Sequence, residues 1–201
     1  MGIGIIVVIY GIMQKYKGGR LAKAPFVKTR DAASNPQSAG ERGAVSVQGA
    51  IECPRPLASP VTGTPCLYYE LKVEGSWKEG DATKSKDYVA DKIAAPFAVN
   101  DGTGSVPVDA SKGGDFELKQ TFDQTKKEGL FADLKNALGK GEPIMFGNYA
   151  FPNPPLSKAS SFRCIERVVP LPANNQLFVM GKLQEGVIAS PSWASLVLSS
   201  K

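Results

Sequence analysis

The chain of 201 residues contains no histidine. That absence removes Ser-His-Asp and Cys-His catalysis, His-ligated zinc and imidazole proton shuttling together. Cysteine is scarce: Cys53, Cys66 and Cys164 are one short of a four-ligand zinc site and too few for a disulfide framework. No internal repeat of fixed period is visible. With 42% hydrophobic residues the composition also excludes disordered and collagen-like chains. What remains is a chain long enough for one ordinary core but not for two large ones.

The formal charge is +5, a balance that ordinarily suggests nucleic acid as a partner. Its placement points elsewhere. Lys15, Lys17, Arg20, Lys23, Lys28 and Arg30 all fall within the first 30 residues, which hold no acid, leaving 18 cations against 19 acids in the rest. The body is therefore neutral, and no nucleic acid is expected as a partner, because phosphate neutralisation supplies most of such affinity.

Ahead of the basic stretch, Met1–Met13 is an unbroken apolar and glycine run in which only Tyr10 has a polar tip. A helix of about 20 residues usually crosses a bilayer. Continuing this one through Tyr16 gives about 24 Å at about 1.5 Å per residue, with snorkelling Lys15 and Lys17 absorbing the shortfall. A cleaved signal would carry its positive charge before the apolar run, and here the order is reversed. We therefore expect residues 1–17 to be a transmembrane helix, with Ile3, Ile5, Ile6, Val7, Val8, Ile9, Tyr10 and Ile12 as anchor residues. Lys15, Lys17, Arg20 and Lys23 are expected to contact lipid headgroups. The positive-inside rule makes this a single-pass membrane protein with its N-terminus outside and its body on the cytoplasmic side, where reduced cysteines belong. The alternative is a buried N-terminal strand or helix of a soluble domain.

Residues 18–43, rich in Gly, Ala, Ser and Lys, show no sustained period and read as a basic juxtamembrane linker. From residue 44 to 201 the pattern is β-rich. Val45, Val47, Gly49 and Ile51 alternate with Ser46, Gln48 and Glu52. After a proline loop, Leu67, Tyr69, Leu71 and Val73 alternate with Tyr68, Glu70 and Lys72. Glu74 to Ala94 reads as a long solvated hairpin. Asn100-Asp101-Gly102-Thr103 carries hairpin chemistry between two short strands. Phe116–Phe122, Ile144–Tyr149, Phe162–Pro170, Gln176–Leu183, Gly186–Ala189 and Ala194–Ser199 are further strand candidates. One helix is expected from a capping box at Thr125 and Glu128 to Gly139. The fold class is mainly β (α+β), an OB-like or sandwich-like β-barrel with one helix, since closure removes exposed edges.

Gly102-Thr103-Gly104 is not a phosphate loop, because Pro107 stands where a third glycine is needed and a strand follows. Glu70, Asp101 and Asp109 would make a carboxylate enzyme only if at least two of them converge in a deep pocket with shifted pKa values. Tyr68, Tyr69, Trp77, Phe97 and Phe116 would serve single-stranded nucleic acid only as an exposed stacking platform.

The run Leu57-Ala58-Ser59-Pro60-Val61-Thr62-Gly63-Thr64-Pro65-Cys66-Leu67-Tyr68-Tyr69-Glu70, followed by Pro96-Phe97 and Asp101-Gly102-Thr103-Gly104-Ser105-Val106-Pro107-Val108-Asp109, resembles the GIDE domain family, also called BAM for beside-a-membrane. The motif residues are Ser59, Pro60, Thr62, Pro65, Cys66, Tyr68, Tyr69, Phe97, Asp101, Gly104 and Val108, and the likeness runs from about Gly43 onward. It implies a globular domain held against a membrane, with ubiquitin-ligase activity residing in a separate C-terminal RING. No Cys/His cluster for a RING occurs here and the chain stops at Lys201, so ubiquitin transfer is not carried over. We expect no catalytic residues, cofactor or metal. The expected role is that of a non-catalytic interaction or accessory subunit whose partners are membrane lipid and other membrane proteins or a multisubunit membrane complex. Its recognition surfaces would be the loop Leu57–Pro65 and the excursion Glu74–Ala94. The alternatives are a RING-less ligase relative with enzymatic activity of its own, or an OB-like single-strand binder.

Overall fold

The computed structural model describes residues 23–127, 143–152, 154, 159–192 and 194–200. The expected anchor over 1–17, including Lys15 and Lys17, and Arg20 beyond it lie outside these residues. Among the described residues no helix is long and apolar enough to cross a membrane. In chain order the elements are α1 (Thr29–Ser34), β1 (Ala44–Glu52), β2 (Leu57–Ala58), β3 (Pro65–Glu79), β4 (Ala82–Ala94), β5 (Phe97–Asn100), β6 (Ser105–Asp109) and β7 (Gly114–Phe116). They continue with β8 (Lys119–Lys127), β9 (Ile144–Phe146), β10 (Tyr149–Phe151), β11 (Ser161–Pro170), β12 (Gln176–Gln184), β13 (Val187–Ala189) and β14 (Leu196–Ser199).

Two compact units divide the chain. The first comprises the described residues up to Arg55, Ala94–Glu117 and the chain from Leu171 on. Its strands close on themselves: β1 pairs with β5, β5 with β6, β6 with β13, β13 with β12, and β12 with β1 again. The β6–β13 pair is parallel and the other four are antiparallel. This is a five-stranded barrel, with β14 and β7 extending it beyond β12. The inward phase of each strand fills it, with Val45, Val47, Phe97, Val99, Val106, Val108, Leu177, Val179 and Ile188 all buried. Each such side chain contributes roughly 1.5–3 kcal/mol relative to exposure. The β12–β13 turn has positive φ at both Glu185 (52°) and Gly186 (78°), as a type I′ hairpin requires.

Residues 18–43 carried no period, yet the described part is folded. Val27 N–H donates to Ser46 O and Ser46 N–H to Pro25 O, and Phe26 bridges Ser46 in parallel. This segment along β1 is why Ser46, placed on the solvent face by alternation, is buried. α1 follows directly.

The second unit, Pro56–Ile93 with Leu118–Pro170, is built on the antiparallel order β2-β3-β11-β8, with β4 on β3. The hairpin expected over Glu74–Ala94 is the end of β3 running into the exposed β4. The β9–β10 hairpin contributes Ile144, Phe146 and Phe151 to a core with Leu71, Val73, Phe162 and Cys164. Alternation places Tyr69 correctly, since it packs on the core with Leu71 and Val73, while Tyr68, on the other face with Glu70, is buried as well. The β3–β11 register shifts between Val169 and Pro170, passing over Leu67, and Cys66, Leu67 and Tyr68 are buried in succession while Tyr69 is half-buried. Thr125, read as a helix cap, lies in β8 opposite Arg163; the remainder of that expected helix falls outside the described residues.

Candidate functional site

Two polar constellations stand out, one in each unit, and motif residues build both. In the second unit β11 runs Phe162, Cys164, Glu166, Val168 along its inward phase, so alternation carries a carboxylate into the interior. Glu166 has no exposed surface. Its Oε1 accepts hydrogen bonds from Ser59 Oγ (3.0 Å), Thr62 Oγ1 (2.6 Å) and Thr121 Oγ1 (2.7 Å), and its Oε2 from Val61 N–H (2.7 Å). Because Thr62 gives its one proton to the carboxylate, it accepts from Thr64 Oγ1 at 2.7 Å. The loop closes with Ser59 N–H on Thr64 O and Gly63 N–H on Ser59 O. Gly147, at φ 54°, lets the β9–β10 turn press against Val61, where a Cβ would come within 2.6 Å of the Val61 carbonyl oxygen.

Burial pushes the Glu166 carboxyl up, but donors from Thr62, the Val61 amide, Thr121 and Ser59 outweigh it and hold it below the ordinary glutamate value. Among the described residues no ion pair reaches it. Four donors engage the ionised carboxylate, three at Oε1 and one at Oε2. Glu166 is a structural anion, and the Ser-Pro-x-Thr motif is its cradle.

In the first unit Asp101 plays a comparable part. Its Oδ1 accepts from Thr29 Oγ1 (2.6 Å), Thr103 N–H (2.9 Å) and Thr103 Oγ1 (2.6 Å), and its Oδ2 from Thr29 N–H (3.2 Å). Thr29 Oγ1 is equally close to Gly104 O, so its single proton serves one of the two. Thr29 begins α1, and Lys28 before it supplies no side-chain cap. The Asp101–Gly104 loop thus caps a helix 72 positions away in sequence. The Thr103 and Thr29 donors hold the Asp101 carboxyl far below its usual range. Asp109 is lowered likewise by Ser111. Glu70 accepts from Tyr68 Oη at 3.1 Å and pairs with Lys92 at 3.0 Å.

An open depression of about 430 Å3 lies beside this loop, lined by Phe26, Gln48, Gly49, Ala50, Asn100, Asp101, Gly102 and Gln176. Gly49 is required there, since a Cβ would run into the Asn100 carbonyl oxygen. The lining brings Asp101 together with neutral amides, and neither Asp109 nor Glu70 joins it. The proposed aromatic platform is not assembled either: Tyr68 and Phe97 are buried, so their faces cannot stack on bases.

Of the other motif residues, Pro65 opens β3 opposite Ala58, Pro60 is half-buried in the turn, and Cys66 is buried at the start of β3. Val108 pairs with Phe97 and Ile188 across the barrel strands. Lys23, the described member of the headgroup set, is exposed. Burial pushes the Cys164 thiol up to about 12, so it is inert as a nucleophile. Among the described residues no group of three or more Cys, Asp or Glu could hold a metal ion. Sequence reasoning missed Glu166, Thr121 and Thr29. A charged residue on the apolar phase of Phe162–Val168 was the available signal for Glu166; Thr29 and Thr121 carried none.

The pattern of the GIDE family, described as E3 Ubiquitin ligase, matches residues 69–201. It takes in Tyr69, Phe97, Asp101, Gly104, Val108 and Glu166 and begins after the cradle loop. No curated protein and no solved structure matches the chain.

Proposed function

This chain belongs to the GIDE family, and from that premise we propose that it acts without catalysis, as a membrane-tethered interaction or accessory subunit presenting its β-rich domain to other membrane proteins. One observation carries the reading: the polar side chains of its motifs are used inside the fold, Ser59 and Thr62 on Glu166, Asp101 and Thr103 on α1. A reactive site needs groups left over for substrate, and these are committed to architecture.

The family's description names ubiquitin ligation. A RING holds zinc through clustered Cys and His, and with three cysteines and no histidine these residues have no means of building one. We assign them the family's supporting domain and not its transferase chemistry. That domain starts ahead of residue 69, near residue 44, because β1 closes the barrel and Ser59–Thr62 hold a matched residue. The strand order β1-β5-β6-β13-β12 suits an OB-like barrel better than a sandwich.

Tethering rests on the apolar Met1–Met13 followed by six cations without an acid. The anchor crosses once, with the domain on the cytoplasmic side. The exposed β4 hairpin is the recognition surface we favour, since the cradle holds the proline loop rigid.

The test is affinity purification from detergent-solubilised membranes, comparing the full chain with one lacking residues 1–17. Recovery of a common set of membrane proteins by the full chain, diminished on truncation, is expected. Two soluble proteins with nothing in common with a membrane fraction would refute the reading.

A further inference from the structure

Phe26 is the most exposed large hydrophobic side chain among the described residues, at 66%. Nothing in its backbone excuses this, because the segment carrying it is fastened to β1 by hydrogen bonds on both sides of the ring. The fold therefore holds an aromatic ring out in water at a fixed place. Lys28 is extended (φ −68°, ψ 144°), and residues two apart on an extended chain project to the same side. Ring and ammonium thus share a face, with exposed Lys23 and Arg30 within four residues. Asp31 is the nearest acid in sequence, and Asp101 lines the depression beside the ring, where donors from Thr29 and Thr103 already engage its carboxylate. Amides, not cations, line the depression beside the ring, so attraction for anions comes from the lysines and arginine around it.

An aromatic ring flanked by cations, at the end of a segment whose first 30 residues hold six cations and no acid, matches the membrane interface, where rings sit at headgroup level and basic side chains meet anionic lipid. We propose that Phe26 inserts into the headgroup region of an anionic membrane while Lys23, Lys28 and Arg30 contact its headgroups, fixing the barrel against the surface. This inference rests on the membrane reading above and adds a second, surface contact to the tether.

The test attaches a nitroxide at Phe26→Cys in full-length protein carrying Cys53→Ser; Cys66 and Cys164 are buried and do not label. Ser85→Cys on exposed β4 is the control. On phosphatidylcholine–phosphatidylglycerol vesicles the ratio of oxygen to nickel-chelate accessibility at position 26 should rise severalfold over the control. Lys28→Ala should lower the inserted fraction about fivefold, as expected for one cation near a charged surface. Flotation at high salt on pure phosphatidylcholine reports the anchor separately. A chain that floats while position 26 stays nickel-accessible overturns this inference and leaves the anchor standing. A chain that does not float, yet inserts position 26 into anionic vesicles, does the reverse. A label already inaccessible without vesicles means a second copy or residues 1–22 cover the ring, which also overturns it.

Discussion

Glu166 is where residue-scale physics decides most. Replacing it with alanine strands three hydroxyls and an amide around a cavity, and one unsatisfied buried donor costs about 1–3 kcal/mol. Glu166→Ala should therefore lower unfolding free energy by about 3 kcal/mol or more in a urea titration. Thr62→Val, which removes one of four donors, should cost about 1–2 kcal/mol. Equal, near-zero effects would mean the cradle is not formed. The pH dependence follows the same carboxylate. Its folded pKa lies below the ordinary value of 4.5, so its contribution is complete above that value and is lost as pH falls from there through the folded pKa. Stability should be flat from neutrality to about pH 5.5 on this account and then decline, with Glu166→Gln flattening the acid limb. Asp101, lowered by Thr103 and Thr29, adds to that limb in the same direction.

At the scale of elements, legibility tracked how far apart the partners lie in sequence. β1, β11 and β12 were readable because apolar residues alternate along them, and the β5–β6 hairpin because Asn100-Asp101-Gly102-Thr103 is local turn chemistry. α1 was not readable. It has six residues and too few apolar positions for a period, and its cap comes from Asp101. The burial of Tyr68 was not legible, because it lies on the Glu70 side of β3, the face that alternation leaves to solvent. The cradle was half legible: Ser59 and Thr62 were conspicuous as motif residues, but their purpose required a partner more than 100 positions away. Since Asp101 caps α1 from the hairpin loop, Asp101→Ala should strip amide-exchange protection from residues 29–34 and cost about 1 kcal/mol, leaving β12 protected. Loss of protection throughout the barrel would contradict that division.

At the scale of the whole molecule, Glu166, Asp101, Glu70 and Asp109 each accept from nearby donors within the fold. Its asymmetry is electrostatic: six cations without an acid in the first 30 residues, then a neutral body. On the proposed reading this distribution serves to locate a domain, since basic segments near a membrane attract anionic lipid while a neutral body avoids nonspecific partners. Alkaline-carbonate extraction of membranes from cells expressing the full chain tests the claim of a tethered domain most directly. We predict that the full chain stays in the pellet and that a chain lacking residues 1–17 moves to the supernatant. A full chain released by carbonate would contradict the account.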